Sequence, residues 1–290
     1  MRFRSILFTP ASRIDRLATA RDSGADWVSL DLEDGVAQKN KSAARAAVQE
    51  LLTVSSASSL QQLALRINTL SSPEGIADMT MLLGVSNWPS MLILPKVESA
   101  KEIAQLRALA TSHSQDPLVL ASLETAHGVE QAARILKGSG PRLLTAYGSA
   151  DHMAETGGTM GKQALSWARG RIVNAASCAR IPVLDGVCLA LKDQKAVRKE
   201  ATLARQIGFD GKIAIHPAQI KPIHHAFAPT AQEVGWAKQV IHAAHINGGT
   251  GAFVVGTQMV DAPVLAQARR ILANSQLKGE GNDPPPAGND

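Results

Sequence analysis

Residues 27–34, Trp27-Val28-Ser29-Leu30-Asp31-Leu32-Glu33-Asp34, decide the fold. The stretch alternates with period two. Val28, Leu30 and Leu32 share one face, and Ser29, Asp31 and Glu33 share the other. Such a segment reads as a strand whose apolar face packs on helices. Its other face carries two carboxylates inward, which is costly unless a cation or hydrogen bonds compensate. The C-terminal mouth of a closed parallel barrel is a place where strands carry such groups.

Similar runs recur on either side. SILFTP starts at Ser5, LALRIN at Leu63, MLILPK at Met91 and LVLASLET at Leu118. LLTAYGSAD starts at Leu143, IPVLDGV at Ile181 and GKIAIHP at Gly211. With residues 27–34 this makes eight strands, starting 22 to 38 residues apart. Helical apolar spacing follows them, as in Ala43–Leu52 and Glu102–Leu109. Eight strand–helix units predict a closed (β/α)8 barrel over residues 1–228. An open doubly wound sheet is the alternative. It would normally carry a glycine-rich turn after the first strand, where this chain has Thr9-Pro10-Ala11-Ser12.

Residues 229–274 predict a C-terminal helical extension or lid. Thr230 and Glu233 are spaced as a capping box for a helix to Ile246. AFVVGTQMV (252–260) reads as a short hairpin and Asp261–Ala273 as a last helix. The last helix has an apolar face of Val264, Leu265, Ala268, Ile271 and Leu272, which needs a surface to cover. Residues 275–290 are polar and rich in Pro and Gly, and are expected to be disordered.

The chain has 290 residues, 45% hydrophobic but only 3% aromatic, so its core must be aliphatic. No apolar run approaches a membrane span, and the start lacks the apolar region of a secretory signal. A cytoplasmic location is therefore expected. The net charge of +5 is modest and its basic residues are scattered, which argues against nucleic acid but leaves a small polyanion possible. Cys178 and Cys188 have no metal-site or redox spacing and read as two buried thiols.

The polar residues collect at the strand ends. Arg66 points inward near the end of its strand, while Lys96, Glu124, Asp151 and His216 close strands four, five, six and eight. Two carboxylates plus waters and substrate oxygens make a normal Mg²⁺ site, and a neighbouring arginine can clamp a carboxylate or steady an oxyanion. The same charges could instead form an ion-pair network without catalysis.

RSILFTPASRIDR, LDLEDGV, LRIN, LPKVES, LETAHGV, YGSADHMAETG, GFDGKIAIHPAQI and MVDAPVL, in this order, resemble the motifs of citrate lyase beta-subunit-like proteins. These belong to the aldolase and citrate lyase superfamily, and the resemblance runs from about Arg4 to Leu272. It implies a TIM barrel. It also implies that Glu124 and Asp151 are Mg²⁺ ligands, that Arg66 contacts keto-acid oxygens, and that Glu33 and Asp34 sit near the metal through water. Arg13 and Arg16 would meet the phosphates of CoA, or else lie on a solvated helix face. Asp261 resembles an aspartate that related lyases receive from the adjacent subunit; it could equally be the N-cap of the last helix. His152 stands where the family more often has leucine. Asp185 and Asp193 sit in a segment that departs from the family pattern, which puts substrate contacts there in doubt.

The expected activity is cleavage of a 3-hydroxyacyl-CoA of citramalyl, citryl or malyl type to acetyl-CoA and a 2-oxo acid. A malyl-CoA thioesterase, or the beta subunit of a citrate lyase complex acting on a carrier-protein thioester, are the alternatives. The expected assembly is a homo-oligomer, a trimer or a multiple of it, with no nucleic-acid or membrane partner.

Overall fold

In the computed structural model, which describes residues 2–138, 140–247 and 251–276, eight parallel strands close into a barrel. They are β1 (Ser5–Pro10), β2 (Trp27–Asp31), β3 (Leu63–Arg66), β4 (Met91–Leu94), β5 (Leu118–Leu123), β6 (Leu143–Tyr147), β7 (Val183–Asp185) and β8 (Gly211–Ala214). Each pairs with the next, and the register Ile6↔Ile213 closes β8 on β1. The eight-strand barrel read from the sequence is what the chain forms.

The alternation sorts each strand into two layers. Inside the barrel, Ile6, Trp27, Ala64, Ile93, Leu120, Leu144, Leu184 and Ile213 form one cluster, one residue from each strand. Outside, Val28, Leu30, Leu32, Leu63, Leu65 and Ile67 pack with helix residues such as Val48, Leu52 and Leu82. The period-two reading of residues 27–34 and 63–68 thus places every one of these apolar side chains on its observed face.

The helices start where short polar residues can occupy their first free amides. Ser99 and Glu102 form a capping box for the helix Ala100–Ser112, and Asp193 accepts from Lys195 and Ala196 at the start of Gln194–Ile207. Asp185 alternates with the interior Leu184 and so faces the helices. There it takes Nε and Nη2 of Arg169 at 2.9 and 3.0 Å, and Lys212 of β8 at 2.7 Å. Asp185 and Lys212 are fully buried and pin the helix Lys162–Ala179 to the wall. Asp185 is thus a structural counter-ion on the helix side of the wall, and Asp193 is a helix cap.

The barrel is one compact unit, Met1–Phe227, and a second begins at Ala228. The second unit has the helix Ala231–Ile246, with the expected Thr230–Glu233 capping box, the hairpin β9 (Phe253–Val255) and β10 (Gln258–Val260), and the helix Ala262–Gln276. Its own small core joins Ala237, Val240 and Ala244 of the first helix to Val260, Leu265 and Ala268. Val264, Ile271 and Leu272 pack against that core. The apolar face expected to need a cover is therefore covered within its own unit. The tail expected to be disordered from residue 275 starts later, since the last helix runs on to Gln276; from residue 277 on it lies outside the described residues.

One thiol departs from expectation. Cys188 is buried, but Cys178 is exposed near the end of the helix Lys162–Ala179. Among the described residues, no helix is long and apolar enough to cross a membrane.

Candidate active site

The mouth of the barrel gathers five carboxylates, those of Asp31, Glu33, Asp34, Glu124 and Asp151, around two cations, Arg66 and Lys96. Asp31 ends β2. It accepts the backbone amides of Glu33 and Gly35 at 2.9 Å each, which turns the chain after the strand. It also accepts Nε and Nη2 of Arg66 at 2.7 and 2.6 Å. Nη1 of Arg66 lies 2.8 Å from Glu33 Oε2, and the guanidinium stacks 4.8 Å over the ring of Phe8. Burial works against the charge of Arg66, but the bonds and charge of Asp31 outweigh it and hold the guanidinium firmly protonated.

Lys96 follows β4 in the left-handed backbone region, with φ 49°. For a residue other than glycine this conformation costs roughly 1–2 kcal/mol. It aims the Lys96 backbone amide at Glu124 Oε1, 2.7 Å away. The ammonium reaches Glu33 at 2.5 Å and Asp34 at 3.1 Å, and lies 3.7 Å from Asp151. Burial opposes its charge, and the bond to Glu33 with the nearby carboxylates overrides that and raises its pKa.

Glu124 follows β5 and is buried. Its Oε2 accepts the hydroxyl of Ser122 at 2.6 Å. Burial pushes the Glu124 carboxyl up to about 7, and the charge of Glu33 adds to this while Ser122 and Arg66 oppose it. Gly148 leaves the room for it: a Cβ there would stand 2.2 Å from both Cβ and Oε2 of Glu124. Asp151 was expected at a strand end; it sits in the first turn of the helix Ser149–Thr156, one turn past β6, and is half-exposed.

This donor set fits a divalent cation. The carboxylates outnumber the cations, and Glu33 Oε2 is buried without a well-directed hydrogen bond. Both Glu124 oxygens keep a lone pair beyond their protein bonds. Among the described residues no three His, Cys, Asp or Glu converge as a complete protein cage. A site of two carboxylates completed by water and substrate suits Mg²⁺, which keeps several waters.

Arg13 and Arg16 are exposed in the short turn Ala11–Arg16, where Arg13 pairs with Asp15 at 3.0 and 2.8 Å. Asp261 belongs to the second unit, and its Oδ1 receives the amide of Val264 at 3.3 Å, a helix cap. His216 also caps, accepting from Ala218 at 3.1 Å. His152 is buried, and Tyr147 bonds its Nδ1 at 2.9 Å, an arrangement leucine could not make.

Ser122, Gly148 and Phe8 were not singled out from the sequence as parts of the site. Nor was Lys41, whose buried ammonium holds the carbonyls of Leu32 and Glu33 at 2.9 and 3.0 Å and so fixes the acid-bearing turn. The inward parity of Ser122, two residues before Glu124, was the one signal available.

Residues 4–217 match the HpcH/HpaI aldolase/citrate lyase family, and residues 168–279 match the C-C bond lyases of the TIM-barrel fold. The chain is 34% identical over 279 residues to a citrate lyase subunit beta-like protein of Deinococcus radiodurans, covering 93% of this chain and 96% of that one. It is 30% identical over 287 residues to the mitochondrial citramalyl-CoA lyase of Rattus norvegicus, covering 93% and 85%. The structure of CitE from Mycobacterium tuberculosis in complex with magnesium, acetoacetate and coenzyme A superposes with a TM-score of 0.79 at 33% identity, covering 94% and 98%. The barrel and the order of its motifs thus agree with these matches: the chain belongs to the HpcH/HpaI aldolase/citrate lyase family of carbon–carbon lyases.

Proposed function

We propose that this protein is a Mg²⁺-dependent lyase that cleaves citramalyl-CoA to acetyl-CoA and pyruvate. The observation that carries this reading is the mouth cluster, in which Glu124 and Asp151 stand free of direct guanidinium bonds while Arg66 is locked by Asp31. Glu124 and Asp151 would hold the ion, with Glu33 and Asp34 beside it. When bound, Mg²⁺ supplies Lewis acidity to the oxygens of the keto-acid half.

The chain's own groups do the rest. Arg66, held by Asp31 and with Nη1 beside Glu33, sets a fixed positive charge near the oxygen on which charge develops. Lys96 balances the acids and, through its amide, keeps Glu124 in place. Cleavage removes the hydroxyl proton and leaves acetyl-CoA as its enolate, so a proton must reach that carbon. Asp261, donated by a neighbouring subunit of a homo-oligomer, is the acid we assign to it. Arg13 and Arg16 are the residues we assign to the CoA phosphates.

The rat relative and the stretch LALRINTLSSPEGIADM (63–79) favour pyruvate as the 2-oxo acid. The Deinococcus relative favours a second reading, a citrate lyase beta subunit. Incubating the protein and Mg²⁺ with citramalyl-, malyl- and citryl-CoA separates these. Pyruvate from the first substrate is the expected product. Oxaloacetate from citryl-CoA alone would favour the citrate lyase reading, and malate plus free CoA a thioesterase.

A further inference from the structure

A cleft of about 740 Å³ opens on the outer layer of the barrel unit, between the helices Lys162–Ala179 and Gln194–Ile207. It lies within the size range of small-molecule sites. One wall carries Lys195, Arg198 and Lys199, which the spacing i, i+3, i+4 puts on one helix face. Lys162 stands on the opposite wall. None of these four cations has an ion-pair partner among the described residues, although like charges at i and i+4 weaken a helix.

The only acid lining the cleft among the described residues, Glu200, is already engaged. Its carboxylate lies 3.3 Å from Lys212 and 3.3 Å from the thiol of Cys188. Arg169 lies deeper, with Nε and Nη2 bound to Asp185 and Nη1 left over. Between the charged walls the lining is apolar, with Leu165, Leu203 and, at the rim, Leu189, which is 59% exposed. One kind of ligand would engage both, an anionic group meeting the cations and an apolar group meeting the leucines.

We infer that this cleft is a second binding site, for an amphipathic organic anion: a phosphate or carboxylate head held by Lys195, Arg198 and Lys162, on an apolar body lying against Leu165, Leu189 and Leu203. It is separate from the mouth cluster, none of whose acids lines it.

Titration calorimetry on the full chain tests this with octyl phosphate as probe, and inorganic phosphate and octyltrimethylammonium as controls. Octyl phosphate should bind saturably and at least tenfold tighter than inorganic phosphate, and the cationic amphipath should not bind. The double variant Lys195→Glu/Arg198→Glu should weaken octyl phosphate at least tenfold with an unchanged melting curve. If that variant melts early, Lys195→Gln, which changes one exposed side chain, should still weaken it severalfold. AMP and octanoate in parallel titrations tell a nucleotide source from an acyl carboxylate. Equal binding of the cationic amphipath, no binding of octyl phosphate, or affinity unchanged in the folded variants would overturn the inference.

Discussion

Asp31 holds Arg66 by two parallel bonds of 2.7 and 2.6 Å, so two of the three guanidinium nitrogens are fixed before any substrate arrives. This makes Arg66 a pre-aimed cation whose third nitrogen, Nη1, lies beside Glu33 Oε2 at the mouth, 2.8 Å away. Lysine keeps the charge but cannot grip Asp31 with two parallel donors and still present a third. Arg66→Lys should lower kcat/KM by roughly a hundredfold, a loss of about 2.7 kcal/mol of transition-state stabilisation. Steady-state kinetics check this, and near-normal kcat and KM in the variant would mean that only the charge matters.

Asp185 is the sole carboxylate bonded to both Arg169 and Lys212 in a buried position among the described residues. Asp185→Ala leaves two buried cations with little compensation. Breaking a buried pair in this way typically costs about 3–5 kcal/mol. Urea unfolding should show that loss with an unchanged m-value. A loss below about 1 kcal/mol would show that the cations find water or Glu200 instead.

His224 gives a pH signature. Burial pushes its pKa down to about 4, and the charge of Arg4 adds to this while Asp26 opposes it. Its Nε2 is bonded to Ser5 Oγ at 2.8 Å. Because the folded-state pKa lies below the ordinary one, the unfolded chain takes up the proton first as the solution is acidified. The stabilisation is complete above about pH 6.5 and is lost as pH falls towards 4, on the order of 2–3 kcal/mol in all. His224→Gln should flatten the fall in Tm between these pH values. An identical slope in the variant would place the acid sensitivity elsewhere.

The barrel could be read because alternation is a local property: residues 27–34 and 63–68 each state which face is apolar. The same alternation aimed Glu33 and Arg66 to one side of their strands, and there the two side chains meet. What was not legible depends on partners distant in sequence. Nothing near Arg66 says that Asp31, 35 residues earlier, occupies two of its nitrogens. The left-handed turn at Lys96 goes with the hydrogen bond its backbone N–H donates to Glu124, 28 residues on. Nothing near Asp185 says that its partners are Arg169, 16 residues earlier, and Lys212, 27 residues on. The apolar stripe of the last helix could be seen, but its cover, Ala237 and Val240, belongs to a helix whose docking no periodicity reveals.

That internal cover removes the stripe as an argument for assembly. A different feature motivates the oligomer: the cross-strand pair Val254 and Met259 is apolar and 67% and 65% exposed, with Met259 two residues before Asp261. Mixing inactive Glu124→Ala with inactive Asp261→Ala subunits should restore part of the activity if Asp261 acts in a neighbour. No recovery after demonstrated subunit exchange would leave Asp261 as the cap that its bond to Val264 makes it.

The central claim is that Glu124 and Asp151 hold the divalent ion on which cleavage depends. Mn²⁺ binding followed by electron paramagnetic resonance, alongside Mg²⁺-dependent release of 2-oxo acid, tests it on the wild type, Glu124→Gln and Asp151→Asn. Each variant should bind the ion at least tenfold more weakly and lose turnover by about a thousandfold, which corresponds to roughly 4 kcal/mol, with the fold intact. Wild-type ion affinity and wild-type turnover in either variant would contradict the account.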